Sequence, residues 1–335
     1  MRNDEVPSND EGRIVIPYPF SELSPGKPIG SFKIVEVYPE GRGGMSRVVR
    51  AKPRERSDKE IALKISRTGS NQEYFFAAIQ KEVEVLQLLD HPGVVRLVPV
   101  SRGKNPYKER AIEIVGAPWF FGMECLRGGS LDAYVRGLNS LTLEETAAIC
   151  YQIGQAILYV HRQGFCHNDI KPNNVLFRHP LQIGKRMEPV LVDFGVAVKS
   201  VKRQPDGSIV YMSPERLLES YNPVAPELLV GQDLTKSDVW SMGILFYRLL
   251  VGREPFIGIT DRSITSAILR ALPESMLQKR KDIPRDVDEF ILERCLTKDP
   301  RFRVDMEQFC NFIRTYSDDF LVKRVPKSKR SFLWW

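Results

Sequence analysis

Residues 167–176 read His-Asn-Asp-Ile-Lys-Pro-Asn-Asn-Val-Leu, a proline-containing loop just after a helix-like stretch. It offers a carboxylate at Asp169, a cation at Lys171 and an amide at Asn174. Moving a phosphoryl group onto a hydroxyl needs those three groups: an acceptor for the proton, a positive charge for the developing negative one, and an oxygen ligand for a metal ion. Shortly afterwards the strand-like run Pro189 to Val192 ends in Asp193-Phe194-Gly195. A second carboxylate at a strand end supplies the main metal position, since magnesium takes oxygen ligands and keeps several waters.

Two earlier features bear on the same chemistry. The segment EGRGGMSRV sets Gly41, Gly43 and Gly44 between two predicted strands, a turn whose amides can come close to phosphates. On its own it is also just a turn. In Ile61-Ala62-Leu63-Lys64-Ile65, strand alternation puts Ala62 and Lys64 on one face, so an apolar contact and a cation point the same way. Glu82 falls inside the apolar stripe of a helix predicted over residues 73–89, and a charge facing inward demands a partner, for which Lys64 is the candidate. Each residue has a plainer reading: Glu82 on a solvent face, Lys64 as an edge-strand lysine, Asp193 as a turn former before glycine.

The elements that must position these groups come in a definite order. Residues 1–30 are polar and rich in Pro and Gly and read as a leader. From Phe32 to Ile65, short β-branched runs broken by turns predict antiparallel hairpins, followed by the 73–89 helix and further strand-like segments VVRLVPV, AIEIV and WFFGMEC. Helices then take over. Thr142 and Glu145 form a capping-box pair ahead of Ile149, Ile153, Ile157 and Val160, and the stretch Val239 to Val251 is apolar nearly all round and must be buried. With 335 residues and 42% hydrophobic content the chain can bury a sizeable core. A net charge of +7 is a mild basic excess, and no nucleic-acid partner is expected from it. The five cysteines lack zinc-ligand spacing and are odd in number, which points to reduced thiols and a cytoplasmic setting. The N-terminus has no apolar signal core, and no stretch is long and apolar enough to cross a bilayer.

Together these motifs match the signature set of the protein kinases. The chain resembles the eukaryotic-like (Hanks-type) Ser/Thr protein kinases, and the GGM of its glycine turn, its YMSPE and its SDVWSMG are most similar to the bacterial branch. The resemblance implies an α+β bilobal protein kinase fold: a small antiparallel β-rich N-lobe with one key helix (residues 31–122) and a larger, mainly helical C-lobe (127–316), followed by a basic tail (317–335). It implies ATP and Mg2+ as cofactors, with Mn2+ as an alternative. Gly41, Gly43 and Gly44 would cover the phosphates, and Lys64 would hold the α- and β-phosphates while paired to Glu82. Asp169 becomes the catalytic base, Lys171 the stabiliser of the γ-phosphate, and Asn174 with Asp193 the metal ligands. Met123 resembles the gatekeeper, Glu124 and Leu126 present backbone to the adenine, and Val48, Ala62 and Leu176 sandwich the ring. Asp238 braces the catalytic loop, and Arg303 pairs with the acid of the SPE motif. Partners are protein substrates bearing Ser or Thr, the class indicated by Lys171, and autophosphorylation is expected with Ser200 and Ser208 as first sites.

The pattern has departures. Ser46 occupies the place of the third glycine. Asn168 stands where most members have the arginine that grips an activation-loop phosphate, which implies that loop phosphorylation is not needed for activity or that the switch works by another route. Two stretches resemble the end of the activation segment, Ser213-Pro214-Glu215 and Ala225-Pro226-Glu227; the first is preferred, leaving 217–230 as an insertion beside a second one at 177–188. The basic tail from Lys323 reads as a solvated end or, alternatively, as a juxtamembrane segment giving peripheral membrane contact. A pseudokinase scaffold and an aminoglycoside-type small-molecule kinase remain as competing readings, the first set against a complete set of charged groups and the second against the SPE motif.

Overall fold

The computed structural model describes residues 22–38, 46–55, 59–69, 71–195, 197, 209–221 (without the side chains of 219–221), 233–317 and 319–326. Gly41, Gly43, Gly44, Ser200, Ser208, Ala225-Pro226-Glu227 and the tail from residue 327 lie outside them. The chain divides into two compact units, one comprising residues up to Ala77 with Pro99–Gly122, the other Ala78–Val98 with Met123 onward.

In chain order the first unit contributes strands β1 (Pro28–Ile29), β2 (Phe32–Val37), β3 (Ser46–Pro53) and β4 (Ile61–Ser66). Helix α1 (Gln72–Leu86) begins in it and ends in the second unit, which also holds β5 (Leu97–Val98). Strands β6 (Lys108–Arg110) and β7 (Trp119–Glu124) follow, the last two residues of β7 belonging to the second unit. The second unit then runs through α2 (Leu131–Leu138), α3 (Leu143–Arg162), β8 (Val175–Phe177) and β9 (Pro189–Leu191). Helices α4 (Pro214–Tyr221), α5 (Thr235–Val251), α6 (Asp261–Arg270), α7 (Arg285–Glu289) and α8 (Met306–Arg314) complete it.

In the first unit the strands lie in the order β1-β2-β3-β4-β7, with β6 paired antiparallel to β7. The β3/β4 register sets Val48 opposite Lys64 and Arg50 opposite Ala62. Directly opposed residues share a face, so Val48, Ala62 and Lys64 all belong to one side of the sheet. The sheet starts before the boundary placed at Ser31: Pro28–Ile29 pairs with β2 and Ile29 is fully buried, so the end of the leader is an edge strand, a position proline tolerates. AIEIV is not a strand. Because β6 and β7 are antiparallel neighbours, the chain between them must reverse, and residues 111–118 do so through turns closed by Ile114 N–H to Ala111 O and Ala117 N–H to Ile114 O. Ile112 and Val115 consequently face solvent.

The second unit is built on α3 and α5. The Thr142 hydroxyl accepts from the Glu145 N–H while the Glu145 carboxylate accepts from the Thr142 N–H, the predicted capping box. Ile149, Ile153, Ile157 and Val160 are all buried, each contributing roughly 2 kcal/mol. Gly154 lets α8 come close: a Cβ there would stand 2.7 Å from the Cys310 sulfur. From Ser237 to Tyr247, every residue of α5 is buried. No helix among the described residues is long and apolar enough to cross a membrane.

The insertion at 177–188 and the start of the tail explain each other. Gly184 N–H donates to Val322 O, Val322 N–H to Lys185 O and Met187 N–H to Phe320 O, giving a short antiparallel pairing of the β8–β9 connection with residues 320–322. Phe320 stacks on Tyr151 of α3, and the Tyr134 hydroxyl donates to Arg324 O. The described start of the tail, residues 323–326, is therefore held by Arg324, in contrast to the solvated end expected from Lys323 onward. Arg324 lies on Glu145, whose side chain is 1% exposed. Burial pushes the Glu145 carboxyl up, but the guanidinium and the Thr142 amide outweigh it and hold it below its ordinary value. This stabilisation is complete above the unfolded glutamate pKa near 4.5 and is lost as pH falls through the lower folded value. Arg324→Ala is expected to cost about 1–2 kcal/mol at pH 7, since the arginine is partly exposed. Urea midpoints should show that deficit closing as pH falls below the carboxylate range.

Candidate active site

The β8–β9 hairpin brings two predicted metal ligands together. Val175 pairs with Leu191, and one step further Val192 N–H donates to Asn174 O at 3.0 Å. Asn174 enters the first strand of the hairpin and Asp193 leaves the second, so an antiparallel ladder sets them at the same end. Gly93–Val95 flanks β9 in turn, through Leu191 N–H to Gly93 O and Val95 N–H to Leu191 O.

Asp169, Lys171 and Asn174 form one hydrogen-bonded cluster. Lys171 Nζ donates to Asp169 Oδ2 at 2.7 Å, and Asn174 Nδ2 donates to both Asp169 O (2.8 Å) and Asp169 Oδ2 (2.7 Å). With the amide nitrogen spent on Asp169, no hydrogen bond from a described residue reaches Asn174 Oδ1. Asp169 Oδ1 is likewise left without a donor among the described residues. The carboxylate is 7% exposed, so little water competes for it.

His167 ties the loop to Val192, which links β9 to Asp193. Its Nδ1 accepts from the Asp169 N–H at 3.3 Å and its Nε2 lies 3.2 Å from Val192 O, a pattern that requires the proton on Nε2. The ring meets Phe194 edge to face at 4.7 Å. Asp193 itself has φ +67°, a left-handed conformation that an aspartate tolerates better than most side chains. Glu82, 2% exposed, accepts from the Phe194 N–H at 3.2 Å. Lys64 belongs to the other unit, where it is buried with its Nζ 6.0 Å from the Phe121 ring centroid.

Beneath the loop, Asp238 of α5 is completely buried. Its Oδ2 accepts from His161 Nε2 (2.8 Å) and His167 N–H (2.9 Å), and its Oδ1 accepts from Asn168 N–H (2.8 Å). Burial alone would raise its pKa, yet the His161 hydrogen bond, the two imidazoles and the Asn168 amide bring it below the ordinary aspartate value. His161, Cys166 and Asp238 gather within 4.8 Å of one another, but the carboxylate already accepts three hydrogen bonds and burial pushes the Cys166 thiol up, so the group is a hydrogen-bonded brace. His161 escaped the sequence reading, although it stands just ahead of the loop on the last turn of α3.

Of the other predicted residues, Met123, Leu126 and Leu176 are buried in the second unit. The Glu124 carboxylate accepts from the Arg96 N–H and from Arg178. Glu215 is the acid on Arg303: Nη1 to Oε1 at 2.8 Å and Nη2 to Oε2 at 3.1 Å, a bidentate pair. Arg303 also donates to Lys236 O and Thr297 O and lies over the Trp240 ring. Ser213 and Ser237 share a hydrogen bond at 3.0 Å, which seats the SPE segment on α5. Because Glu215 is buried, Arg303→Ala strands a charge, and a loss of about 3–5 kcal/mol is expected in a denaturant titration.

The protein kinase domain family matches residues 37–312. Over 278 residues the chain is 30% identical to the serine/threonine-protein kinase PrkC of Bacillus subtilis (strain 168), covering 82% of this chain and 39% of that one. Over 304 residues it is 30% identical to the serine/threonine-protein kinase PkaA of Streptomyces coelicolor, covering 87% and 51%. The human serine/threonine-protein kinase ULK1 is 26% identical over 293 residues, 82% of this chain and 26% of its own length. The chain thus spans about half or less of the length of these relatives. With an α+β architecture, a β-rich first unit, a helical second unit and a family match over most of its length, this chain belongs to the protein kinase domain family.

Proposed function

We propose that this chain is a serine/threonine protein kinase, transferring the γ-phosphoryl group of ATP to protein hydroxyls, with Asp169 as the base. The observation that carries the reading is the Asp169–Lys171–Asn174 cluster, in which both bonds to the Asp169 carboxylate fall on Oδ2 and leave Oδ1 to accept a hydroxyl proton. Its relatives named above are Ser/Thr kinases, and Lys171 is the residue by which the sequence favours that acceptor class.

Family members use ATP with a divalent cation, and we assign magnesium here. The donor set suits it: the Asp193 carboxylate and the Asn174 amide oxygen, the latter reached by no hydrogen bond from a described residue, are hard oxygen ligands. Asp193 and Asn174 would hold the ion, which would supply positive charge against the phosphates. The chain's own residues do the rest. Asp169 takes the proton as the hydroxyl attacks, Lys171 balances charge on the transferring group, and the Asn174 amide keeps the carboxylate turned to its task. On the nucleotide we assign Gly41, Gly43, Gly44 and Lys64 to the phosphates, Glu82 to Lys64, and Val48, Ala62, Met123, Glu124, Leu126 and Leu176 to the base. These follow the family pattern; the shared sheet face of Val48, Ala62 and Lys64 supports three of them.

The test is phosphoryl transfer from labelled ATP with magnesium to a basic protein. Asp169→Asn should lower the rate by about 10²–10⁴, and Asp193→Asn and Lys64→Met should abolish labelling above background. Retention of full labelling in Asp169→Asn would refute the assigned role. With Asn168 in place of arginine, phosphatase-treated protein is expected to begin at its full rate; a lag removed by autophosphorylation would show that a loop phosphate is needed after all.

A further inference from the structure

Asn168 and Arg216 meet in a way that the family pattern does not anticipate. Asn168 precedes the proposed base and has φ +64°, so its peptide groups turn out of line with their neighbours, a conformation asparagine accepts more readily than most residues. Its N–H and that of His167 are taken by the Asp238 carboxylate. Its carbonyl is taken by Arg216, whose Nη1 donates to Asn168 O from the first turn of α4.

That carbonyl belongs to the peptide bond between Asn168 and Asp169. The other end of the same peptide, the Asp169 N–H, donates to His167 Nδ1. The amide plane immediately before the base is thus gripped at both ends, and a fixed plane fixes the direction in which the Asp169 side chain leaves the backbone. An anion from α5 holds the N–H groups and a cation from α4 holds the carbonyl, each matching the local dipole. Arg216 is itself anchored. Its neighbour Glu215 is locked by the bidentate Arg303 pair, so the turn that presents the guanidinium cannot drift. Both Glu215 and Arg303 are buried.

We propose that Arg216 is a positioning residue for Asp169: by holding the Asn168 carbonyl it supplies, from the activation-segment side, a cation that orders a catalytic loop lacking an arginine at 168. The cation is permanent and needs no phosphate to recruit it. This rests on the reading of Asp169 as base. A misplaced base slows chemistry without weakening nucleotide binding, which separates this role from general damage.

The experiment is steady-state transfer from magnesium ATP to a basic protein by the full chain, with nucleotide affinity measured separately. Arg216→Ala should reduce kcat about 10- to 100-fold, with the KM and Kd for ATP changed less than about twofold and the circular dichroism spectrum unchanged. Arg216→Lys, which keeps a donor and a charge, should recover a substantial part of kcat, and Arg216→Gln clearly less. If Arg216→Ala does not fold, the Lys and Gln variants carry the comparison by themselves. A kcat within twofold of the parent, an equal loss in the Lys and Gln variants, or a Kd that rises in step with the loss of rate would overturn the proposal. Asp169→Asn serves as the control. If it stays active the base assignment fails, whereas an inactive Asp169→Asn beside an unimpaired Arg216→Ala refutes the role of Arg216 alone.

Discussion

A single buried charge organises the second unit. Asp238 sits on α5, a helix so apolar that its middle must be covered on every side, and the interior offers no water to solvate a carboxylate. The charge can persist only if N–H groups are brought to it. The chain brings three, from the His161 ring and from the backbone at His167 and Asn168. To deliver two consecutive amides to one carboxylate the loop must turn sharply, and the left-handed Asn168 is where it does so. The position of Asp169 follows from that turn, and the positions of Lys171 and Asn174 follow from their bonds to Asp169.

Other charges on α4 and α1 are settled in the same manner, by partners distant in sequence. Glu215 is held by Arg303 from the segment before α8, while the adjacent Arg216 reaches the Asn168 carbonyl. Glu82 accepts the amide that follows Asp193. Each contact links a group near the proposed chemistry to a different element, so the segments carrying Asp169, Asp193 and Glu215 are tied together by electrostatics within a dry interior, where such bonds are strong and their loss is expensive.

The β8–β9 connection shows how an insertion can acquire a structural task. A hairpin with strands this short needs only a tight turn, yet residues 178–188 extend far enough to pair with 320–322. The C-terminal segment in turn covers Tyr151 with Phe320 and satisfies the buried Glu145 with Arg324. The hairpin that carries Asn174 and leads to Asp193 is thereby braced at its far end.

Much of this protein was legible in its residues. Local spacing was enough for the strands β2 to β4, the capping box of α3, the buried α5 and the presence of a carboxylate, a lysine and an amide in one loop, because period, caps and short-range motifs act within a few residues; that the lysine and the amide bond to the carboxylate is shown only by the fold. The choice of Glu215 over Glu227 was also made correctly from the motif around it. What spacing could not reveal were contacts closed by folding: Arg216 on Asn168, His161 on Asp238, Arg324 on Glu145, and a turn where AIEIV alternated like a strand. A hydrogen bond between groups dozens of residues apart leaves no periodic trace, and a charged tail reads as solvated until a buried carboxylate is found beneath it. The chemistry was written in the order of side chains; which partner neutralises each buried charge was decided by the tertiary structure, because only packing determines where water is excluded.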